Sequence, residues 1–227
     1  MAATSEEATR LVEEAARRRL TLMVDHPYVY SNAVRKIAEL LDGGEIGELF
    51  YYDSVRINLG RFRSDVDVMW DLAAHDLSIL EFLTGRQPLR VSVTGASHFG
   101  GGLHDIAYLS MFYGDSFLAH VHVNWCAPVK VRRTLLGGSR QMIVYDDLEP
   151  SEKVKVYDRS VALAQDERQV RIGYRAGDVW APHLEVADAL ERTCMLLRSQ
   201  ARGAGVVLDL ELAGDVPDAA IDEDRLR

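Results

Sequence analysis

The sequence is poor in cysteine. Cys126 and Cys194 are the two in 227 residues, far apart and in no Cys-x-x-Cys spacing. That argues against a disulfide framework or a zinc ribbon and points to a reducing compartment. No apolar run approaches the roughly 18 residues that a membrane span needs. The first residues, MAATSEEATRLVEE, are acidic and amphipathic, so they do not form a signal peptide. Positive charge is scarce as well: the formal net charge is -9. The one basic run, Arg17-Arg18-Arg19, ends a helical stretch, where cations complement the helix dipole. This balance disfavours nucleic acid or an anionic membrane as partner. Together these absences lead to the expectation of a cytoplasmic protein.

A phosphate loop is also missing. Gly100-Gly101-Gly102 is not followed by Lys-Ser/Thr, and Gly203-Ala204-Gly205 lacks both a preceding strand and the third glycine of a dinucleotide fingerprint.

What remains is ordinary globular composition, 48% hydrophobic and 27% charged. Thr4 and Glu7 make a capping box, after which Ala8, Leu11, Val12 and Ala15 recur at helical spacing. Leu20 to Val24 reads as a short strand. A second helix carries Val34, Ile37, Ala38 and Leu41 and stops at Gly43-Gly44. Residues 48–59 read as a strand whose Val55, Ile57 and Leu59 form a buried face and whose Arg56 and Asn58 form a polar one. A nearly all-apolar helix follows, Trp70 to Leu83. From Arg90 onward come the strands RVSVTGAS, DIAYLSMFY, FLAHVHVNW, VKVRRTLLG, QMIVYD and KVKVYD, with tight turns such as Tyr113-Gly114-Asp115-Ser116 favouring antiparallel pairing. A last helix is expected near Leu184 to Leu197. The fold class is α+β, a large open, mainly antiparallel sheet with helices on one face. The acidic tail, residues 201–227, reads as disordered.

The helix Trp70 to Leu83 carries the chemistry. Asp71 and His75, four apart, share one face of it. A carboxylate and an imidazole on a buried helix need mutual satisfaction or a polar cavity. They are either a general base with its orienting partner or a structural pair. His120, His122 and Asn124 alternate on one side of a strand; a metal there would need further ligands, and no second pair is evident. Lys130 and Arg132 share a strand face suited to a phosphate or carboxylate, or form an exposed basic rung. The candidate substrate-binding residues are His26, Tyr30, Arg56, Asn58, Lys130 and Arg132; no metal-binding or cofactor-binding residue is assigned.

Over roughly residues 1–185 the sequence resembles the glucose-fructose oxidoreductase / inositol dehydrogenase (Gfo/Idh/MocA) family, and within it the nucleotide-sugar 3-dehydrogenase-like members. The carrying segments are LMVDHPYVYSNAVRKIAELLDGGEIGELFYYDSVRINLG, MWDLAAHDLSIL and VKVRRTLLGGSRQMIVYDDLEPSEKVKVYD. The resemblance implies NAD or NADP in a parent enzyme, a sugar or nucleotide-sugar substrate, and a homodimer or tetramer formed through the sheet face. It puts the family's Asp-x-x-x-His motif on Asp71 and His75, with His75 exchanging the substrate's hydroxyl proton and Asp71 positioning the substrate. Val24-Asp25-His26 matches the segment after the last Rossmann strand, with Asp25 where glycine is usual. The family's Glu-Lys-Pro motif would fall before Met1. The expectation is therefore a truncated chain: residues 1–25 the remnant of a last Rossmann helix and strand, 26–200 a substrate-binding and oligomerisation domain, 201–227 the tail. Such a chain alone would be inactive and bind no dinucleotide. The alternative is a non-catalytic dimerisation or sugar-binding module.

Overall fold

A computed structural model describes residues 2, 4–60, 62–99, 101–114, 116–158, 160–166, 169–175 and 177–184. The helix expected near Leu184 to Leu197 and the tail after residue 200 lie outside the described residues. The chain divides into two units, residues 1–25 with 185–227, and residues 26–184.

In the first unit, helix α1 (Ser5–Arg18) begins where the Thr4 side chain accepts the Glu7 amide at 3.2 Å, the first half of the capping box. It ends at Arg19, which takes the left-handed conformation that glycine usually supplies. Leu20 to Val24 form no strand, contrary to the sequence pattern. These residues have no regular secondary structure, and Leu20, Leu22, Met23 and Val24 are exposed. A strand needs a neighbour to take its backbone hydrogen bonds, and the sheet of this chain takes in strands from residue 49 on.

The second unit starts with a 3-10 turn, Pro27–Tyr30, and helix α2 (Asn32–Asp42), whose N-cap Ser31 accepts the Val34 amide. Next come β1 (Leu49–Leu59), a π turn (Met69–Ala73) running into α3 (Ala74–Thr84), and then β2 (Arg90–Ala96), β3 (Ile106–Phe112), β4 (Leu118–Asn124), β5 (Cys126–Gly138), β6 (Met142–Asp146) and β7 (Val154–Tyr157). A hairpin, β8 (Ser160–Asp166) with β9 (Gln169–Arg175), forms a separate sheet, and β10 (Val179–Trp180) closes the edge of the main one. The main sheet runs β10-β7-β6-β5-β1-β4-β3-β2. Every pair is antiparallel except β1 with β4.

The strands after residue 90 are thus no simple meander, because the first strand lies at the centre of the sheet. β4 and β5 are consecutive in sequence yet lie on opposite sides of β1. The chain crosses the end of β1 at Trp125, whose carbonyl accepts the Gly60 amide at 3.1 Å. A Cβ on Gly60 would come within 2.8 Å of the Trp125 ring, so the crossing needs glycine there. Among the described residues no helix is long and apolar enough to cross a membrane.

α2 and α3 cover one sheet face. Their Val34, Ile37, Ile79 and Leu80 pack on Ala107, Ala119, Val121, Val123 and Leu136 in one core. On β1 the structure reverses the expected faces. Tyr52, Ser54 and Arg56 are buried, Val55 and Ile57 are half-buried, and Leu59 is 69% exposed. The polar side of β1 is the inner one, because α3 brings a carboxylate to meet it.

Candidate functional site

That carboxylate is Asp76. Arg56 donates to it through Nε at 2.6 Å, Ser54 Oγ donates to it at 2.6 Å, and the Tyr52 hydroxyl donates to its backbone carbonyl at 3.2 Å. The Arg56 and Asp76 side chains are 4% and 2% exposed. Burial works against the Arg56 charge, but Asp76 overrides it and holds the guanidinium pKa above its ordinary value. The sequence offered Arg56 as a substrate ligand; the structure places it as one half of a buried ion pair. Asp76 was not singled out, although an aspartate among the apolar positions of a buried helix was a visible signal.

His75, the neighbour of Asp76, faces a wall of π and cationic groups. Its ring meets Tyr28 edge-on, with centroids 5.1 Å apart. The Tyr28 ring in turn lies under the Arg56 guanidinium at 4.5 Å and the Arg132 guanidinium at 5.9 Å. The Nδ1 atom of His75 is buried without a hydrogen-bond partner. Burial, followed by the charge of Arg56, holds the His75 pKa below its ordinary value; the half-buried His26 and Arg132 act in the same direction and Asp76 opposes them. A half-buried neutral imidazole with an unpaired nitrogen is equipped to take a hydrogen bond, or a proton, from a hydroxyl placed against it.

Arg132 extends this wall. It donates to Asp147 at 3.0 Å, and Asp147 also accepts the Tyr145 hydroxyl at 3.1 Å and lies 3.6 Å from Lys153 Nζ. Burial would raise the Asp147 pKa, but the Arg132 hydrogen bond and the Lys153 and Arg132 charges hold it below the usual carboxylate range. The Nε of Arg132 is buried and unpaired. Lys130, two residues earlier on β5, is exposed. Tyr28, Tyr145 and Asp147 are the members of this wall that sequence spacing missed; they come from the 3-10 turn, β6 and the turn after it, and meet only through the fold.

Asp71 takes a different partner from the one its spacing implied. The Trp125 indole Nε1 donates to its carboxylate at 3.0 Å, and Arg63 approaches it at 3.9 Å. The π turn accounts for this: it winds residues 69–73 more widely than an α-helix, so Asp71 and His75 are not stacked one regular turn apart. Asn58 lies beside Trp125, since the amide of one and the ring of the other flank Gly60. Asp71 and Asn58 therefore gather around Trp125, and His75 and Arg132 around Tyr28, with His26 close enough to His75 to act on its charge. Tyr30 ends the same 3-10 turn as Tyr28 and has the Arg35 guanidinium 5.7 Å from its ring. On the opposite sheet face His120 contacts Asp53 at 3.1 Å and His122 stacks on Tyr108 at 4.4 Å.

Residues 34–144 match the sequence model of the GFO/IDH/MocA C-terminal domain. The described residues have the fold of that domain. Solved structures share the fold. UDP-N-acetylglucosamine 3-dehydrogenase from Acidithiobacillus ferrooxidans is similar at 23% identity and TM-score 0.59, over 88% of this chain and 66% of that one. An inositol dehydrogenase homolog from Azotobacter vinelandii, complexed with NAD+, is similar at 19% and 0.65, over 88% and 59%. A Magnetospirillum magnetotacticum MS-1 protein described as an oxidoreductase is similar at 24% and 0.65, over 87% and 61%. The chain spans about three-fifths of the length of these structures. No curated protein matches it.

Proposed function

We propose that residues 26–184 form the substrate-binding and proton-exchanging half of an NAD(P)-dependent oxidoreductase acting on a sugar or nucleotide sugar. The observation that carries the reading is the buried, unpaired Nδ1 of His75 within the wall of Tyr28, Arg56 and Arg132. Oxidising a secondary alcohol removes a proton from oxygen and a hydride from carbon. A neutral imidazole takes the proton, and its lowered pKa keeps it neutral at working pH. Arg56 adds to burial in keeping the imidazole neutral before the transfer. Arg132 and Lys130 supply positive charge for an acidic group on the substrate. Asp71, held by Trp125, borders the same side of the sheet and accepts hydrogen bonds from sugar hydroxyls.

A nicotinamide dinucleotide does not fit the described residues. No strand among them leads through a glycine-rich turn into a helix N-terminus that would take a pyrophosphate. The chemistry assigned to them is confined to substrate and proton.

The open sheet face supports self-association. Tyr51, Tyr108, Phe112 and Leu118 alternate onto it and are between 36% and 44% exposed, the kind of apolar area that a second copy covers.

The test supplies a dinucleotide-binding domain from a family member as a fusion ahead of Ala2. Such a protein should oxidise a sugar or nucleotide sugar with NAD(P). His75→Ala should lower kcat by about 10²- to 10⁴-fold, the range for a lost general acid–base. A folded His75→Ala protein with nearly full kcat across the pH range would make His75 structural and leave a non-catalytic sugar-binding module.

A further inference from the structure

A second cluster of reactive side chains lies outside this site, where the loop between β2 and β3 meets the start of β5. His98 follows β2, Asp105 precedes β3, and Cys126 opens β5. One nitrogen, one carboxylate oxygen and the thiol of these residues all lie within 4.8 Å of one another, the only such trio among the described residues. Asp105 is set as a rigid ligand would be. Its side chain is 3% exposed, and one oxygen, Oδ2, accepts the amides of His98 at 2.6 Å and Phe99 at 3.2 Å. Its backbone is fixed too: the amide donates to Ala96 and the carbonyl accepts from Trp125, both at 2.9 Å. The other oxygen, Oδ1, is left to face His98 Nδ1 at 2.7 Å.

We propose that His98, Asp105 and Cys126 bind a zinc ion, with its fourth position open to solvent. An imidazole nitrogen, a carboxylate oxygen and a thiolate together suit a borderline-soft divalent ion, and oxygen-preferring magnesium or calcium would not choose the sulfur. Zinc bonds of about 2.0–2.3 Å draw the ligand atoms to within roughly 4 Å of each other. The adjustment falls on the His98 side chain, which is 55% exposed. The same exposure gives the ion its way in. The amides on Oδ2 play the outer-shell part that orients a carboxylate on a metal. Because the ligands come from three separate segments, the ion fastens the β2–β3 loop to β5. It does so one residue from Trp125, whose indole holds Asp71. The proposal does not depend on the oxidoreductase reading.

The experiment uses the full chain, stripped with chelator, re-equilibrated with zinc sulfate and freed of excess by gel filtration before elemental analysis. About one zinc per chain should remain, and Cys126→Ser and His98→Ala should each lower retention by tenfold or more. Cobalt(II) in place of zinc should give a thiolate-to-metal charge-transfer band that Cys126→Ser abolishes. Circular dichroism establishes that each variant is folded. His122→Ala, on the far sheet face, should keep the ion. The proposal is overturned if the wild-type chain retains no zinc, if both variants retain it undiminished, or if His122→Ala is what removes it.

Discussion

Removing the Asp76 carboxylate tests both the fold and the site, because Asp76 meets Arg56 inside the core beside His75. Asp76→Ala leaves Arg56, whose side chain is 4% exposed, as a buried charge without its counter-ion. Breaking a buried pair in this way costs about 3–5 kcal/mol. The loss of the Ser54 hydrogen bond adds little, because Ser54 Oγ already lies 3.3 Å from Thr134 Oγ1 and can turn to it. Asp76→Asn keeps the shape and one acceptor, so its cost should be about that of a lost charged hydrogen bond, roughly 1.5–3 kcal/mol. Replacing both partners with apolar residues, Arg56→Met with Asp76→Leu, should recover much of the loss, since a buried pair contributes little net stability over well-packed hydrophobes. Urea unfolding followed by far-UV circular dichroism reads these values, with shifts of midpoint at constant slope counted as stability. A second readout is the His75 pKa by NMR. Asp76 supports the imidazolium and Arg56 opposes it, so Asp76→Asn should push that pKa further down and Arg56→Met should raise it. A cost below about 1 kcal/mol for Asp76→Ala, the scale of a solvated surface pair, would refute the reasoning, as would opposite movements of the His75 pKa.

Other outcomes follow from the same geometry. Burial lowers the pKa of both His75 and His122 below the ordinary 6.5, so the unfolded chain binds protons first as pH falls. Stability should be full above about 6.5 and fall as pH drops toward the folded pKa values, with His75→Phe flattening part of that slope in thermal melts between about pH 5 and 8. Sedimentation at micromolar concentration should find a dimer or larger assembly, and Tyr108→Glu should weaken it; a clean wild-type monomer would refute association through the sheet face. NADH added to the chain should show no saturable micromolar binding by fluorescence, and a saturating signal would contradict the absence of a pyrophosphate site among the described residues.

The strands from β2 to β7 were legible because each is a short alternating run bounded by turn residues, and local pattern is enough for that. The order of the sheet was not. Nothing in FLAHVHVNW or VKVRRTLLG announces that β1 will lie between them. The crossing depends on Gly60 receiving Trp125, a contact between residues 65 positions apart. Leu20 to Val24 failed for the complementary reason: a strand-like run forms no strand without a neighbour to hydrogen-bond it.

The site was half legible for one physical cause. Sequence periodicity assigns burial by polarity, so Val55, Ile57 and Leu59 were put inside and Arg56 outside. That rule fails where a second polar group enters the core from another element. Asp76 does so from α3, and its pairing with Arg56 turns the face of β1 around. The same exchange explains why His75, Arg56 and Arg132 stand out in the sequence and Tyr28, Tyr145 and Asp147 do not. His75 stands out in a nearly apolar helix. Tyr28, Tyr145 and Asp147 are ordinary residues in their own segments and join Arg132 in a wall only when Arg56 points inward. Burial first, and Arg56 after it, lowers the pKa of the histidine against the pull of Asp76, while the buried pair accounts for the misread strand. It joins the folding of this sheet to the chemistry proposed for it: a variant that turns Arg56 back to solvent would dissolve the wall around Tyr28 and return His75 toward its ordinary pKa.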